Sequence, residues 1–235
     1  MEQHRPISII TAASQGLGAA CAKCMADNGY TVVLMSRSDR VRDVANRLGG
    51  TGVVGSVTNV EDLSNLVQRT MDDHGRIDAV ISNTGHPPKG DLLAITDDDW
   101  LGSVELLFLS VVRLARLITP HMQRMGGGAF VNISSFGARA PSLAYPTSSV
   151  IRAALTNFTV LYARSHARDR IRMNNVLPGF AENHPVDEET LARIPAGRPA
   201  TVNEIANVAA FLASPKASSI TGQDVLADGG LLPGW

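Results

Sequence analysis

The segment Ile7-Ser-Ile-Ile-Thr11-Ala-Ala-Ser-Gln-Gly16-Leu-Gly18 passes from an apolar run into a turn with two glycines, and a helical pattern follows directly. The apolar run predicts a buried strand over Ile7–Thr11. Gly16 and Gly18 would let the backbone approach a pyrophosphate at the helix N-terminus, where free N–H groups and the helix dipole favour anions. A tight turn without a ligand is the alternative. The place of the two glycines between a first strand and a first helix favours a dinucleotide site.

The same alternation of strand and helix continues along the chain. Further strands are predicted at Thr31–Ser36, Gly52–Val57, Ile77–Ser82, Ala129–Ser134, Ile171–Leu177 and Asp224–Ala227. Helices are predicted at Gly18–Asn28, Asp39–Leu48, Val60–Asp73, Asp97–Met125, Ala144–Ala167 and Val202–Ala213. Strands that read as continuous Val/Ile runs are typical of a parallel sheet buried on both faces. The pattern therefore predicts an α/β fold, a Rossmann-type doubly wound parallel sheet of about seven strands with helices on both faces, as a single domain over residues 1–235.

Two loops interrupt the alternation. One runs from Asn83 to Asp91 after the fourth strand, and the other runs from Pro178 to Pro199 and contains four prolines and two glycines. A loop of the second length is more often a functional lid than a plain connection, so we expect a substrate lid at about 180–199. Both loops follow the carboxyl ends of strands, where open α/β sheets bind ligands.

Composition excludes several classes of function. The 235 residues include 21 basic and 22 acidic side chains, and this balance argues against nucleic-acid binding and against an anionic membrane surface. No apolar stretch is long enough to span a bilayer, and no secretory signal is readable, so we expect a cytoplasmic protein. The two cysteines, Cys21 and Cys24, lie inside a predicted helix and are interpreted as packing residues rather than a redox pair; no metal site is predicted.

Five motifs lie at the turns and strand ends of this pattern. They are Thr11–Gly18, with Ala12 where a glycine is usual; Asn83-Thr-Gly85; Val131-Asn-Ile-Ser-Ser135; Arg172-Met-Asn-Asn-Val-Leu-Pro178-Gly179; and Ile220-Thr-Gly-Gln-Asp-Val-Leu-Ala-Asp228-Gly-Gly230. In this order they resemble the short-chain dehydrogenase/reductase family over essentially the whole chain. The resemblance implies a nicotinamide cofactor and hydride transfer between an alcohol and a carbonyl.

The end of the second strand indicates which nicotinamide cofactor is used. Ser36, Arg37 and Ser38 stand where NAD-preferring members of the family carry an acidic residue, and a guanidinium with hydroxyls suits a 2′-phosphate. NADP(H) is therefore favoured over NAD(H). Two positions depart from the family pattern: Gln15 stands where NADP-preferring relatives often carry a basic residue, and Ser56 stands where relatives often carry an Asp. The alternative is that Arg37 is a solvated surface residue. The predicted cofactor-binding residues are Thr11, Ser14, Gly16, Leu17, Gly18, Ser36, Arg37, Ser38, Val57, Asn83, Gly85, Pro178 and Gly179.

The resemblance implies Ser135 and Tyr145 as catalytic residues, the serine holding the substrate oxygen and the tyrosine passing the proton. The family places a lysine four positions after this tyrosine, but Ser149 stands there, and Leu107 or a neighbour stands where an asparagine is expected. The segment between Ser135 and Tyr145 is also shorter than usual. Tyr145 before Pro146 has a second interpretation, an aromatic residue at the start of a helix.

Other basic residues are weaker candidates to replace the positive charge of the family's lysine. Arg152 lies about two helical turns beyond Tyr145, too far for direct contact unless its side chain folds back, so an exposed or interface arginine is the favoured interpretation. Lys89, in the loop after Asn83, is another candidate. The histidines share no ligand-like spacing, and His184 is interpreted as a solvated loop residue.

The sequence thus predicts an NADP(H)-dependent oxidoreductase that reduces a ketone or aldehyde of a small molecule. The alternative is a catalytically weak or inactive NADP(H)-binding protein serving as a sensor, scaffold or inactive subunit. The family also implies a homodimer or homotetramer formed through the two longest helices, and the apolar residues Leu155, Phe158, Val160 and Leu161 cover more than one stripe of the second of these helices.

Overall fold

Seven parallel strands form one sheet in a computed structural model that describes residues 5–232. The strands are β1 (Ile7–Thr11), β2 (Thr31–Ser36), β3 (Thr51–Val54), β4 (Ala79–Ser82), β5 (Gly128–Ile133), β6 (Ile171–Pro178) and β7 (Asp224–Ala227). Their order across the sheet is β3-β2-β1-β4-β5-β6-β7, and every adjacent pair is parallel. The predicted doubly wound α/β fold of about seven strands is confirmed.

Helices cover both faces of this sheet. They are α1 (Gly16–Asp27), α2 (Arg40–Arg47), α3 (Val60–His74), α4 (Asp97–Val104), α5 (Ser110–Met125), α6 (Pro146–His166), α7 (Glu188–Ala192) and α8 (Val202–Ala213). One apolar core packs Cys21 of α1 and Ile205 of α8 against one face, and a second packs Leu63 of α3 and Leu114 of α5 against the other. In the described part of the chain, no helix is long and apolar enough to cross a membrane.

Several predicted boundaries were wrong, each for a local reason. The third strand ends at Val54 rather than Val57: Gly55 N–H still donates to Ser36 O of β2 at 2.9 Å, Ser56 N–H donates to Asp62 Oδ2 of α3 at 2.8 Å, and Val57 lies in a turn. The fourth strand begins at Ala79 rather than Ile77, where Asp78 Oδ2 accepts a hydrogen bond from Ile7 N–H at 2.7 Å.

The predicted single helix over 97–125 is divided by a π-helical turn at Glu105–Leu109. This turn holds Leu107, which is 2% exposed and packs inward. Ser110 follows it, and its hydroxyl donates to Leu106 O at 2.7 Å. Serine hydroxyls that bond the preceding turn disturb the regular helical ladder, and π-turns of this kind are frequent near functional sites.

The loop predicted over 178–199 contains the short helix α7, which was not predicted. Asp187 caps it by accepting from Thr190 N–H at 2.8 Å. The two ends of the segment lie side by side, because Glu182 N–H donates to Ala200 O at 2.9 Å and Ala200 N–H donates to Phe180 O at 2.9 Å. The segment therefore leaves the carboxyl end of β6 and returns to the same place.

Ala12 adopts an unusual backbone conformation directly after β1. Its φ is +48°, in the left-handed region that glycine enters freely and that costs other residues about 1–2 kcal/mol. Gly16, in the same turn, has φ +54°. The turn thus holds one residue suited to positive φ and one that is strained there.

Replacing Ala12 by glycine is expected to raise the free energy of unfolding by ~1 kcal/mol, because the left-handed strain disappears. The matched change Gly16→Ala in the same turn is expected to lower it by about the same amount. Urea denaturation without cofactor measures both. A less stable Ala12→Gly protein would contradict the strain at this position.

Candidate cofactor and catalytic site

The strand order of the sheet reverses between β1 and β4, and several of the predicted site residues follow the carboxyl ends of the strands there. Thr11 Oγ1 donates to Asn83 O at 2.6 Å and accepts from Asn83 N–H at 2.9 Å, so the two strand ends are joined directly. In open α/β sheets, ligands bind at such a switch point.

The turn after β1 lies against this joint. A Cβ placed on Gly18 would lie 2.2 Å from Ala12 O and 2.8 Å from Asn83 Nδ2, so no side chain fits there. Among the described residues, no side chain caps the N-terminus of α1: Gln15 makes no side-chain cap, and the first turn carries no acidic residue. The N-termini of α2 and α6 are likewise without a side-chain cap, whereas Asn59, Thr96 and Thr201 cap α3, α4 and α8. The first N–H groups of α1 are thus left for an anion.

The carboxyl end of β2 places hydroxyls beside the glycine turn. Ser36 Oγ donates to Ser14 Oγ at 3.0 Å, and Ser38 N–H donates to Ser36 Oγ at 3.4 Å. Arg37 is exposed and, within residues 5–232, forms no ion pair. Val57 lies in the turn after β3 and is half-buried.

The other predicted cofactor residues lie at neighbouring strand ends. Gly85 follows Asn83, and a Cβ there would meet nothing within 4 Å. Pro178 ends β6 and is buried. A Cβ on Gly179 would lie 2.8 Å from Asp228 Cα, so this glycine is required by packing. Leu17, in the first turn of α1, packs against the apolar core.

Ser135 and Tyr145 lie at the ends of adjacent segments near β5. Ser135 follows β5, and its hydroxyl accepts from Gly137 N–H at 3.2 Å. Tyr145 is half-buried and directly precedes α6. Ser134 Oγ is buried and has no hydrogen-bond partner within the described residues, so the end of β5 holds an unused polar atom.

Ser149 has a structural role. It is 3% exposed, and its hydroxyl accepts from Ser142 N–H at 3.2 Å. A Cβ placed on Gly137 would lie 3.1 Å from Ser149 Oγ and 3.6 Å from Ser135 Oγ, so the three residues pack closely. Ser149 therefore holds the segment before Tyr145 against α6 and supplies no charge.

Arg152 corrects the favoured sequence interpretation, because it is buried rather than exposed. It is 8% exposed, and its side chain folds back to donate to Ser148 Oγ at 3.1 Å and to Ile133 O at 2.8 Å. In the part of the chain that the structure describes, no carboxylate pairs with it. Burial lowers the pKa of this guanidinium to about 10, so it remains charged at neutral pH.

Two histidines that are far apart in sequence contact each other. His86 Nε2 and His184 Nε2 lie 3.2 Å apart, and Asn183 Nδ2 lies 3.2 Å from His184 Nε2. Burial first, and then the positive charges of His184, Arg152 and Lys89, lower the pKa of His86. Sequence spacing gave no signal for this pair, since fold topology alone brings the two loops together.

Residues of the loops after β4 and β6 lie close to the glycine turn and to Tyr145. Asn183 Nδ2 lies 3.3 Å from a Cβ placed on Gly16, and Asn183 also contacts His184, which in turn meets His86. Lys89, three residues after His86, has its Nζ 4.6 Å from the centroid of the Tyr145 ring.

The cysteines lie away from this edge. Burial raises the pKa of Cys21 to about 12, and burial is also the main cause of the raised pKa of Cys24. Cys24 is half-buried and donates to Asn207 Oδ1 at 3.2 Å. Both are free thiols, not reactive thiolates, which agrees with their interpretation as packing residues. Among residues 5–232, no group of three or more His, Cys, Asp or Glu side chains is arranged to hold a metal ion.

Comparison with known proteins places this geometry in a family. A family model described as enoyl-(acyl carrier protein) reductase matches residues 11–232. The chain is 30% identical to a 3-oxoacyl-(acyl-carrier-protein) reductase of Vibrio cholerae, over 98% of this chain and 99% of that protein. It is 31% identical to a cis-4-hydroxycyclohexanecarboxylate dehydrogenase of Sinomonas cyclohexanicum, over 95% of each.

A solved structure agrees with these sequence relatives. The L-sorbose reductase of Gluconobacter frateurii, complexed with NADPH and L-sorbose, superposes with a TM-score of 0.91 at 28% identity and covers 98% of each chain. The family predicted from the five motifs is confirmed. The chain belongs to the short-chain dehydrogenase/reductase family of oxidoreductases.

Proposed function

We propose that the protein is an NADP(H)-dependent reductase of a ketone or aldehyde group on a small molecule. The observation that carries this proposal is the hydrogen-bonded joint between Thr11 and Asn83, beside which α1 begins without a side-chain cap. Ser135, after β5, and Tyr145, before α6, would complete the site. The reductases and dehydrogenase that resemble the chain, one of them solved with NADPH, support the same reaction class.

The residues present fit a nicotinamide dinucleotide. The free N–H groups of α1 and the side-chain-free surface of Gly18 suit a pyrophosphate. Asn83 and Gly85, at the end of β4, and Pro178 and Gly179, at the end of β6, would border the nicotinamide half. The segment 180–199 would act as the lid, since Asn183 already reaches the glycine turn. When bound, the cofactor supplies or accepts the hydride.

The chain's own residues would manage the substrate oxygen and its proton. Ser135 Oγ, which now accepts from Gly137 N–H, retains its own hydrogen for donation to a carbonyl oxygen. Tyr145 Oη would donate a proton to the same oxygen during reduction and recover it from solvent. A general acid placed in this way typically contributes 10²–10⁴-fold to a rate.

The 2′-phosphate pocket would consist of Ser14, Ser36, Ser38 and Arg37. Removing the guanidinium by Arg37→Ala is expected to weaken NADPH binding about tenfold while leaving NADH binding nearly unchanged, because only NADPH carries the 2′-phosphate. Titration followed by nicotinamide fluorescence measures both affinities. Arg47→Ala, at the exposed far end of α2, is the matched control. Equal loss for both cofactors would contradict the assignment of Arg37.

Tyr145→Phe is expected to lower the rate of NADPH oxidation at least about a hundredfold while NADPH affinity stays near that of the unchanged protein, because only the phenolic proton is lost. The measurement is a spectrophotometric assay against a panel of small ketones and aldehydes. Tight NADPH binding without turnover of any member would instead favour the alternative, an inactive NADP(H)-binding protein.

We further propose that the chain assembles as a homodimer or homotetramer through α4–α5 and α6. Leu155 of α6 is buried against the sheet, whereas Leu161 is 66% exposed, so the helix presents a second apolar surface. Light scattering at micromolar concentration should report a dimer or tetramer, and Leu161→Glu should shift it toward monomer. A strict monomer of the unchanged chain would contradict this proposal.

A further inference from the structure

The position at which the family carries its lysine supplies no charge to Tyr145 in this chain. Ser149 occupies it, is buried, and uses its hydroxyl to accept from Ser142 N–H. A phenol that gives up its proton leaves a negative charge, and a nearby cation stabilises that charge. A cation must therefore reach Tyr145 from elsewhere if proton transfer is to be efficient.

Lys89 reaches the tyrosine from the opposite side of the cleft. Its Nζ lies 4.6 Å from the centroid of the Tyr145 ring, within the range of a cation–π contact. In residues 5–232 this ammonium has no carboxylate within ion-pair distance, so its charge is not neutralised by the protein.

The loop that carries Lys89 is fixed to the helix that Tyr145 precedes. Thr147 Oγ1, in the first turn of α6, donates to Pro88 O at 2.6 Å. Pro87 is buried, and the two consecutive prolines restrict the backbone before Lys89. Lys89 is exposed, but the backbone that carries it is joined to the first turn of the helix that Tyr145 precedes.

The other basic side chains near Tyr145 contact other groups. The guanidinium of Arg152 is held by Ile133 O and Ser148 Oγ on the buried side of α6. His86 and His184 contact each other, and the lowered pKa of His86 favours its neutral form. Among these groups, Lys89 is the one whose ammonium lies over the tyrosine ring.

We propose that Lys89 takes over the electrostatic role of the missing lysine and acts through Tyr145, an inference that rests on the proposed function. In reduction, the carbonyl carbon accepts the hydride while Tyr145 Oη donates its proton to the carbonyl oxygen, and the alcohol leaves. The phenolate that remains, with its charge spread into the ring, is stabilised by the Lys89 ammonium until Oη takes a proton from water.

The test is a pH titration of tyrosine ionisation by near-ultraviolet phenolate absorbance, without cofactor or substrate. The chain has 3 tyrosines, and burial raises the pKa of both Tyr30 and Tyr162, the latter to about 12. The transition that disappears in Tyr145→Phe identifies the third. In Lys89→Met the midpoint of this transition is expected to move to higher pH, while in Lys89→Arg, which keeps the charge, it should stay near that of the unchanged protein.

Lys216→Met is the matched control, because Lys216 is exposed and lies in the short helical turn Pro215–Ala217. It should leave the midpoint unmoved. A Lys89→Met midpoint equal to that of the unchanged protein would overturn the inference, and circular dichroism verifies that each variant is folded.

A kinetic readout separates this inference from the proposed function. In Lys89→Met, the pH profile of kcat should shift to higher pH with little change in NADPH affinity. If the absorbance midpoint moves but no carbonyl is ever reduced, the Lys89 contact stands and the proposed function fails. If carbonyls are reduced with an unchanged pH profile in Lys89→Met, the Lys89 inference fails alone.

Discussion

Paired hydrogen bonds between Thr11 and Asn83 are the constraint on which the site depends. The Thr11 hydroxyl both donates to Asn83 O and accepts from Asn83 N–H, and so joins β1 to β4 where the strand order reverses. Asn83 Nδ2 also donates to Ala12 O at 3.4 Å, and the close approach of Gly18 to both residues follows from that joint. The position of the candidate cofactor site thus follows from how the two strand ends are joined.

The cation that lies over the Tyr145 ring is carried by a loop and not by α6. Ser149 holds the segment before Tyr145, and Arg152 folds back to Ile133 O, so neither side chain of α6 supplies a charge to the tyrosine ring. Lys89 reaches the ring from the loop after β4.

The sheet was predictable from sequence because buried parallel strands read as continuous Val/Ile runs, and β1, β2 and β7 have the predicted bounds. The strand ends were harder to predict: β3 was expected to reach Val57, but Ser56 N–H donates to Asp62 Oδ2 of α3 and Val57 lies in a turn. The helix α7 was missed although Asp187 followed by two glutamates is a usual helix start, a signal hidden by the neighbouring prolines.

The positions of side chains at the candidate site could not be predicted from the sequence. Spacing alone could not show that Arg152 folds back into the protein, that His86 meets His184, or that Lys89 lies over Tyr145, because each depends on how loops pack across the cleft. The residues of the glycine turn were easier to identify, since their roles follow from local backbone geometry at Gly16 and Gly18.

If this edge of the sheet carries out hydride transfer, deuterium should pass from the cofactor to a carbonyl carbon. We would incubate the unchanged protein with NADPH deuterated at the reactive nicotinamide carbon and a panel of small ketones and aldehydes, and analyse the products by mass spectrometry. We expect an alcohol that carries the deuterium on its former carbonyl carbon, and far less of it with Tyr145→Phe. Tight NADPH binding with no deuterium in any product would rule out hydride transfer to these carbonyls and leave a cofactor-binding protein without turnover.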